Sequence, residues 1–325
     1  MRFVPDYNLK IISEQDLPSK IENITEELEK IKVSGSFEAF DKTKIYYEYF
    51  LSEGSTASIV IVHGLSEFIN KFYEFIYYCL NQGFNVFIYD QRCHGLSGRL
   101  TDQIDLLHVG DFSDYVKDLS QFVEEIVLKT EDKPIYIYSQ SMGGAEAALY
   151  LANANPKIEK AVLAVPMFQP VVDVVPYKIA RGGVRIARWF YGNKHKFLLS
   201  RDFNPEVEYS QSQGKSKARF EHNMKMRIEN PCYQSTPMSF GWVHNSLIVK
   251  NRIFKSKIIN NIKTPTLLLT AKEDTVVENA PHYLFAEKCK TCRLIELETA
   301  NHALLASDEQ TLEKVVNLIF DFYRC

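Results

Sequence analysis

Ser141 stands in Ser139-Gln140-Ser141-Met142-Gly143, between an apolar run, Ile135–Tyr138, and an alanine-rich stretch reading as a helix from Met142 to about Ala154. A strand that turns sharply into a helix lifts a serine hydroxyl clear of the sheet. It leaves the next backbone N–H, that of Met142, at a helix N-terminus that stabilises negative charge. Small residues must flank such a turn; Gly143 fits, and Ser139 is small where a glycine is more usual. A second strand-like run, Ile59–Val62, ends in His63-Gly64-Leu65, which predicts a second oxyanion donor at the N–H of Leu65. A serine nucleophile needs a general base, and the base needs an orienting acid. His302 follows the run Arg293–Leu297, and Asp274 follows Thr266–Thr270, so both are expected just beyond the C-terminal ends of late strands. The constellation predicts acyl transfer: Ser141 as nucleophile, His302 as base, Asp274 as orienter, Leu65 and Met142 as oxyanion donors. Glu273 is a rival acid one residue away, and Asp274 is preferred.

Other reactive side chains read differently. His63 precedes Gly64 and suits a turn-stabilising role; His94 reads as loop-fixing, and His108 as structural given His302. Cys289 and Cys292 form a lone CxxC with no second ligand pair, and no H-E-x-x-H helix occurs, so no metal site is expected.

The elements that must position these groups alternate. Thr43–Leu51, Ser58–Val62, Asn85–Tyr89, Ile135–Tyr138 and Lys160–Val165 read as strands, the short apolar ones as strands buried on both faces of a parallel sheet. Helices are predicted over Glu67–Gln82, capped by Gly83, and over Phe112–Val127, where Phe112, Val116, Leu119, Val123 and Val127 share a face. Alternation breaks at Pro166 and resumes with Thr266–Thr270, a helix from about Glu278 to Lys288, Arg293–Leu297 and a helix Glu309–Tyr323. The pattern predicts an α/β fold with a mostly parallel, doubly wound sheet carrying an inserted, mainly helical cap. The expected division is 1–165 with 256–325 as the core and 166–255 as the cap. Residues 1–33 form an N-terminal extension, helical at Asn23–Lys30. No internal repeat or low-complexity segment is evident.

At 325 residues, with 46% apolar and 24% charged, the composition is that of an ordinary globular chain. A net charge of −3 gives no global attraction to polyanions, so nucleic acid is not an expected partner. The N-terminus lacks a secretory h-region, and no apolar run approaches 18 residues, so the expectation is a cytoplasmic protein with free thiols.

His63-Gly64, Asp90-Gln91-Arg92-Cys93-His94-Gly95-Leu96-Ser97-Gly98, Ser141-Met142-Gly143-Gly144, Asp274 and His302 together resemble the lysophospholipase and monoacylglycerol lipase branch of α/β-hydrolases. Bacterial lysophospholipases are the nearer match. The similarity continues through Gly98–Leu119 and Thr236–Leu247 and covers most of the chain from about Ser34. Cys93 stands where that family usually has glycine, and Ser139 departs from G-x-S-x-G. The resemblance implies hydrolysis of a single-chain lipid ester through an acyl-enzyme, most closely a lysophospholipid, with no metal or organic cofactor. A monoacylglycerol lipase or short-chain carboxylesterase is the alternative, and a non-catalytic ligand-binding member of the fold is the rival of another class. Met167, Phe168, Trp189, Phe190, Phe240 and Trp242 are candidate walls of an acyl pocket, and ordinary packing explains each about as well. Arg181, Arg185 and Arg188 recur at helical spacing beside Trp189 and Phe190. Two readings stay open there: a helix touching an anionic membrane peripherally, or a solvated helix packed over the site.

Overall fold

The structure, a computed structural model, describes residues 1–8, 10–152 and 157–325. Eight strands form one sheet: β1 (Val33–Glu38), β2 (Lys44–Phe50), β3 (Ala57–Val62), β4 (Phe84–Tyr89), β5 (Ile135–Gln140), β6 (Lys160–Ala164), β7 (Thr266–Ala271) and β8 (Cys292–Leu297). Their order is β1-β2-β4-β3-β5-β6-β7-β8; β1–β2 and β2–β4 are antiparallel, and the remaining pairs are parallel. This is the mostly parallel doubly wound sheet that the alternation predicts.

Eleven α-helical segments are described: α1 (Leu17–Ile31), α2 (Tyr73–Asn81), α3 (Ser113–Phe122), α4 (Leu128–Thr130), α5 (Met142–Leu151), α6 (Tyr177–Tyr191), α7 (Lys217–Glu229), α8 (Phe240–Ile253), α9 (Ser256–Ile259), α10 (Ala280–Lys288) and α11 (Glu309–Arg324). β3, β4 and β7 are buried at every position, because helices cover both faces. Alternate strand residues feed two cores. Ile59, Ile61, Val86 and Ile88 pack with α1, α2 and α11, while Val60, Val62, Phe87 and Ile137 pack with α3, α5, α8 and α10.

Three elements differ from expectation. The helix expected from Glu67 begins later, as a 3₁₀ turn Ile69–Phe72 leading into α2, because the Glu67 carboxylate is turned inward onto the Gly64 N–H. The helix expected over Phe112–Val127 is α3 followed by a π turn, Val123–Val127, then α4. β1 was not expected. Its polar, glycine-containing sequence suits an edge strand that pairs only with β2. The expected end of the Met142 helix near Ala154 lies outside the described residues.

α1 is longer than Asn23–Lys30, and Leu17, Ile21, Ile24, Leu28 and Ile31 form its buried seam, against α2 and α7. Between β6 and β7 the chain leaves the sheet and forms α6 to α9. α8 fastens this insertion to the sheet side. Asn245 Oδ1 accepts the Phe112 N–H at 3.0 Å, and His108 Nδ1 bonds the Ser239 hydroxyl at 2.8 Å. His108 is thus an anchor between two segments.

Candidate active site

β3 has β4 on one side and β5 on the other, so the chain crosses over β3 between them, which opens a crevice at the C-terminal ends of β3 and β5. Leu65 follows β3 and Ser141 follows β5 directly. Ser141 holds φ 52° and ψ −116°, a conformation that L-residues rarely adopt and that strand-to-helix turns impose on the residue at their apex. The turn is held by the Ser141 N–H on the Ala164 carbonyl at 3.0 Å and by the Met167 N–H on the Ser141 carbonyl at 2.8 Å. A methyl at Gly143 would lie 2.2 Å from the Val62 carbonyl oxygen, so only glycine fits where α5 crosses the end of β3. Ser139 keeps its hydroxyl on the Val162 carbonyl at 3.0 Å, which is how a serine is housed beside the turn.

His302 Nε2 lies 2.9 Å from Ser141 Oγ, and His302 Nδ1 lies 2.7 Å from Asp274 Oδ2. A carboxylate can only accept, so Nδ1 carries the proton and Nε2 is free to take the serine proton. Asp274 Oδ1 accepts the N–H groups of Val276 (2.8 Å) and Val277 (3.0 Å), which fixes the carboxylate edge-on to the imidazole. Burial opposes ionisation of Asp274, yet the His302 bond and charge and these two N–H groups together hold its pKa below the ordinary carboxylate range. Glu273, the rival acid, points away and pairs with Lys215 at 2.7 Å on the surface.

The other histidines are built into loops. His63 accepts the Gln91 N–H on Nε2 (2.9 Å) and donates from Nδ1 to the Gly64 carbonyl (2.7 Å); burial pushes its pKa down to about 4. His94 donates from Nδ1 to the Arg92 carbonyl at 2.9 Å. Cys93 has φ 65°, a left-handed conformation that glycine adopts without strain and that a residue with a side chain rarely takes. Arg92 is fully buried and forked onto Asp118 by two 2.7 Å bonds, with Asp41 at 2.9 Å. Cys289 and Cys292 are free thiols, and burial raises the Cys292 pKa to about 12.

The cavity above Ser141 has a volume of about 640 Å³, and Leu65, Met167, Trp242 and His302 line it. Four of the expected wall residues lie elsewhere. Phe168 packs behind the site against Phe285 (centroids 4.9 Å apart) and Phe254 (5.9 Å), because the chain turns back into the β-sheet core there. Phe240 is held in the insertion's own core between Tyr191 and Phe197, each 5.4 Å away. Trp189 and Phe190 face outward from α6, 80% and 71% exposed, because Val184 and Ala187 occupy its inward face.

Two contributions escaped the sequence reading. Glu67 accepts from the Gly64 N–H and, at 2.9 Å, from Gln140 Nε2, so one buried carboxylate ties the loop after β3 to the residue preceding Ser141. Burial opposes its charge, but Lys71, His63 and the Gly64 N–H keep its pKa below the usual range. Its spacing to Lys71 was the available signal, and that reads as an ordinary helical pair. Leu17 and Ile21 of α1 also line the cavity. Their seam shows that α1 packs, but not what it packs against.

Residues 54–310 match the family described as serine aminopeptidase, S33. Lysophospholipase L2 of Escherichia coli strain K12 is 27% identical over 88% of this chain and 86% of its own length. A monoglyceride lipase homologue of monkeypox virus is 24% identical over 86% of this chain and 94% of its own. Among solved structures, a soluble variant of Saccharomyces cerevisiae monoglyceride lipase shares the fold with TM-score 0.70 and 16% identity, covering 90% of this chain and 94% of that one. A Bacillus coagulans carboxyl esterase does so with TM-score 0.73 and 13% identity, covering 90% and 98%. A sheet with a serine at the strand-to-helix apex, matched over most of its length by one family, makes this chain a hydrolase of the serine aminopeptidase S33 family.

Proposed function

We propose that the protein hydrolyses the carboxylic ester of a single-chain lipid, most closely a lysophospholipid, through an acyl-enzyme on Ser141. The observation that carries this is the unbroken hydrogen-bond chain Ser141–His302–Asp274 at the floor of a largely apolar cavity. Its relatives include proteins named as lysophospholipases and monoglyceride lipases, which favours a lipid ester over a peptide.

In this reading Ser141 Oγ attacks the acyl carbonyl as His302 Nε2 takes its proton, while Asp274 holds the imidazole and stabilises its positive charge. The oxyanion falls to the N–H groups of Leu65 and Met142; the first lines the cavity, and the second opens α5, where no intrahelical acceptor exists. His302 then protonates the departing alcohol, and water repeats the sequence on the acyl-serine. Every step uses groups of this chain. Residues 166–255 act as the cap over the acyl chain, with Met167 and Trp242 as its walls.

The same reading puts the enzyme in the cytoplasm, resting peripherally on anionic lipid through α6. Only Val184 of that helix is buried, and Ile179, Ile186, Trp189 and Phe190 are exposed beside Arg181, Arg185 and Arg188. No helix among the described residues is long and apolar enough to cross a membrane.

The function is tested by fluorophosphonate labelling together with a panel of lysophospholipids, monoglycerides and p-nitrophenyl esters. Wild type should label and hydrolyse lysophospholipid fastest. Ser141→Ala should not label and should lose on the order of 10⁶ in turnover with its thermal melt unchanged. Labelling of the variant, or substantial residual turnover, overturns Ser141; faster monoglyceride than lysophospholipid hydrolysis overturns the substrate assignment.

A further inference from the structure

The cavity above Ser141 continues past the insertion. On one side it ends at Leu17 and Ile21, one turn apart on α1; on the other at His222 and Met226, one turn apart on α7; Asn70 completes the set. The same five residues line a second cavity of about 750 Å³, which runs along the groove between α1 and α7 and reaches Thr25, Tyr73 and Ala218. The five therefore form a septum shared by two chambers, and three of them, Leu17, Ile21 and Met226, have apolar side chains. The outer chamber carries Glu22, Glu26, Glu221 and Glu229 against Lys225, so its rim is net negative. A phosphate or carboxylate entering there would meet like charge, whereas an alkyl chain would not.

α1 precedes the stretch that the family match covers, yet its position over the site is fixed firmly. The Arg219 guanidinium of α7 reaches Glu74 of α2 at 2.6 and 2.9 Å, donates to the Ile12 carbonyl at 2.9 Å and lies 3.4 Å from Glu14. Glu14 in turn accepts the Ala218 N–H at 2.7 Å. The segment leading into α1 is thus tied to α7 and α2 together, and the septum between α1 and α7 has a set width.

We infer that the substrate's acyl chain passes from Ser141 between Leu17 and Ile21 on one side and His222 and Met226 on the other. Its distal methylenes lie in the chamber between α1 and α7, and α1 sets the chain-length preference. The inference rests on the ester-hydrolase reading above. Each methylene buried there favours binding about 4-fold, so the preference for long chains accumulates along the groove.

The test fills the outer chamber from positions that do not line the cavity above Ser141. Thr25→Trp on α1 and Ala218→Trp on α7 each line the second cavity alone. kcat/KM is measured for p-nitrophenyl butyrate, decanoate and palmitate, with thermal melts as a check of folding. Both variants should keep butyrate hydrolysis within about twofold and lose about 10-fold or more on palmitate. Because the substitutions sit on different helices, misfolding of one leaves the other to decide. Equal loss on all three esters in a folded variant, or undiminished palmitate hydrolysis, overturns the channel while the ester-hydrolase reading stands. A wild type inert toward every ester overturns both.

Discussion

Gly143-Gly144 and Gly182-Gly183 are two glycine pairs in one chain with opposite surroundings. A methyl at Gly143 would sit 2.2 Å from a backbone oxygen, and one at Gly144 would sit 2.7 Å from Pro166 Cβ; at Gly182 and Gly183 nothing lies within 4 Å. The first pair starts α5 under Ser141, where strand, helix and the loop after β3 converge. The second lies within α6, whose only buried side chain is Val184. The same residue type is therefore a packing requirement at the elbow and a mere loss of helix propensity on the insertion. The elbow has one permitted geometry, and α6 carries no such constraint at its two glycines.

The largest way to test that contrast is at the elbow's hydrogen-bond chain. Asp274→Asn should lower turnover about 10⁴-fold by presenting the wrong imidazole tautomer. Glu273→Gln, one residue away but paired outward with Lys215, should leave the rate near wild type. Comparable losses in both variants would remove Asp274 from its role.

Next in size is the glycine itself. Gly143→Ala should destabilise the fold by about 3 kcal/mol or more in urea unfolding, since the clashing atoms are the backbone oxygens of Val62 and His63. A soluble, active Gly143→Ala protein of wild-type stability would show that the elbow can relax.

Acid exposes the same rigidity. Burial first of all holds the pKa values of His63, His108 and His282 at about 4, against an ordinary 6.5, and pushes that of His94 well down too. The unfolded chain then binds protons that the folded one refuses. The histidines' contribution to stability is complete above about 6.5 and is lost as pH falls toward 4, by up to about 1.4 kcal/mol per pH unit for each. The Asp90 and Asp118 carboxyls, raised by burial to about 7 and about 6, take up protons in the folded state and offset part of that loss. Urea midpoints of wild type and His282→Gln at pH 7, 6 and 5 check this: the variant should lose less stability toward acid than wild type, and identical slopes would contradict the neutral, buried assignment.

The smallest effects belong to α6. In vesicle co-sedimentation the Arg181/Arg185/Arg188→Gln variant should lose anionic-selective, salt-weakened binding, at about 1 kcal/mol per arginine. Equal binding by both proteins would leave α6 an ordinary solvated helix. Gly182→Ala should stabilise the fold by about 0.5–1 kcal/mol, the reverse of Gly143→Ala.

What the sequence by itself determined was whatever is local or ordered along the chain. Apolar runs bounded by turn residues marked the parallel strands, since strands covered on both faces need apolar side chains at every position. A serine between such a run and an alanine-rich helix marked the elbow, because few backbones bring small residues and a nucleophile together in that way. Asp274 and His302 could be placed at strand ends for the same reason. Their hydrogen bonds join residues separated by 28 and 161 positions, and those only the folded chain supplies. Which aromatic faces a cavity was likewise decided by tertiary structure. Phe168, Phe240 and Trp242 look alike in sequence, yet one packs behind the sheet, one fills the insertion's own core and one reaches the site. The seam of α1 announced that it packs, and only the position of α7, tied down by Arg219, decided that Leu17 and Ile21 line the cavity above Ser141. Periodicity records which face of a helix is dry; it carries no information about the partner, because any apolar surface satisfies it.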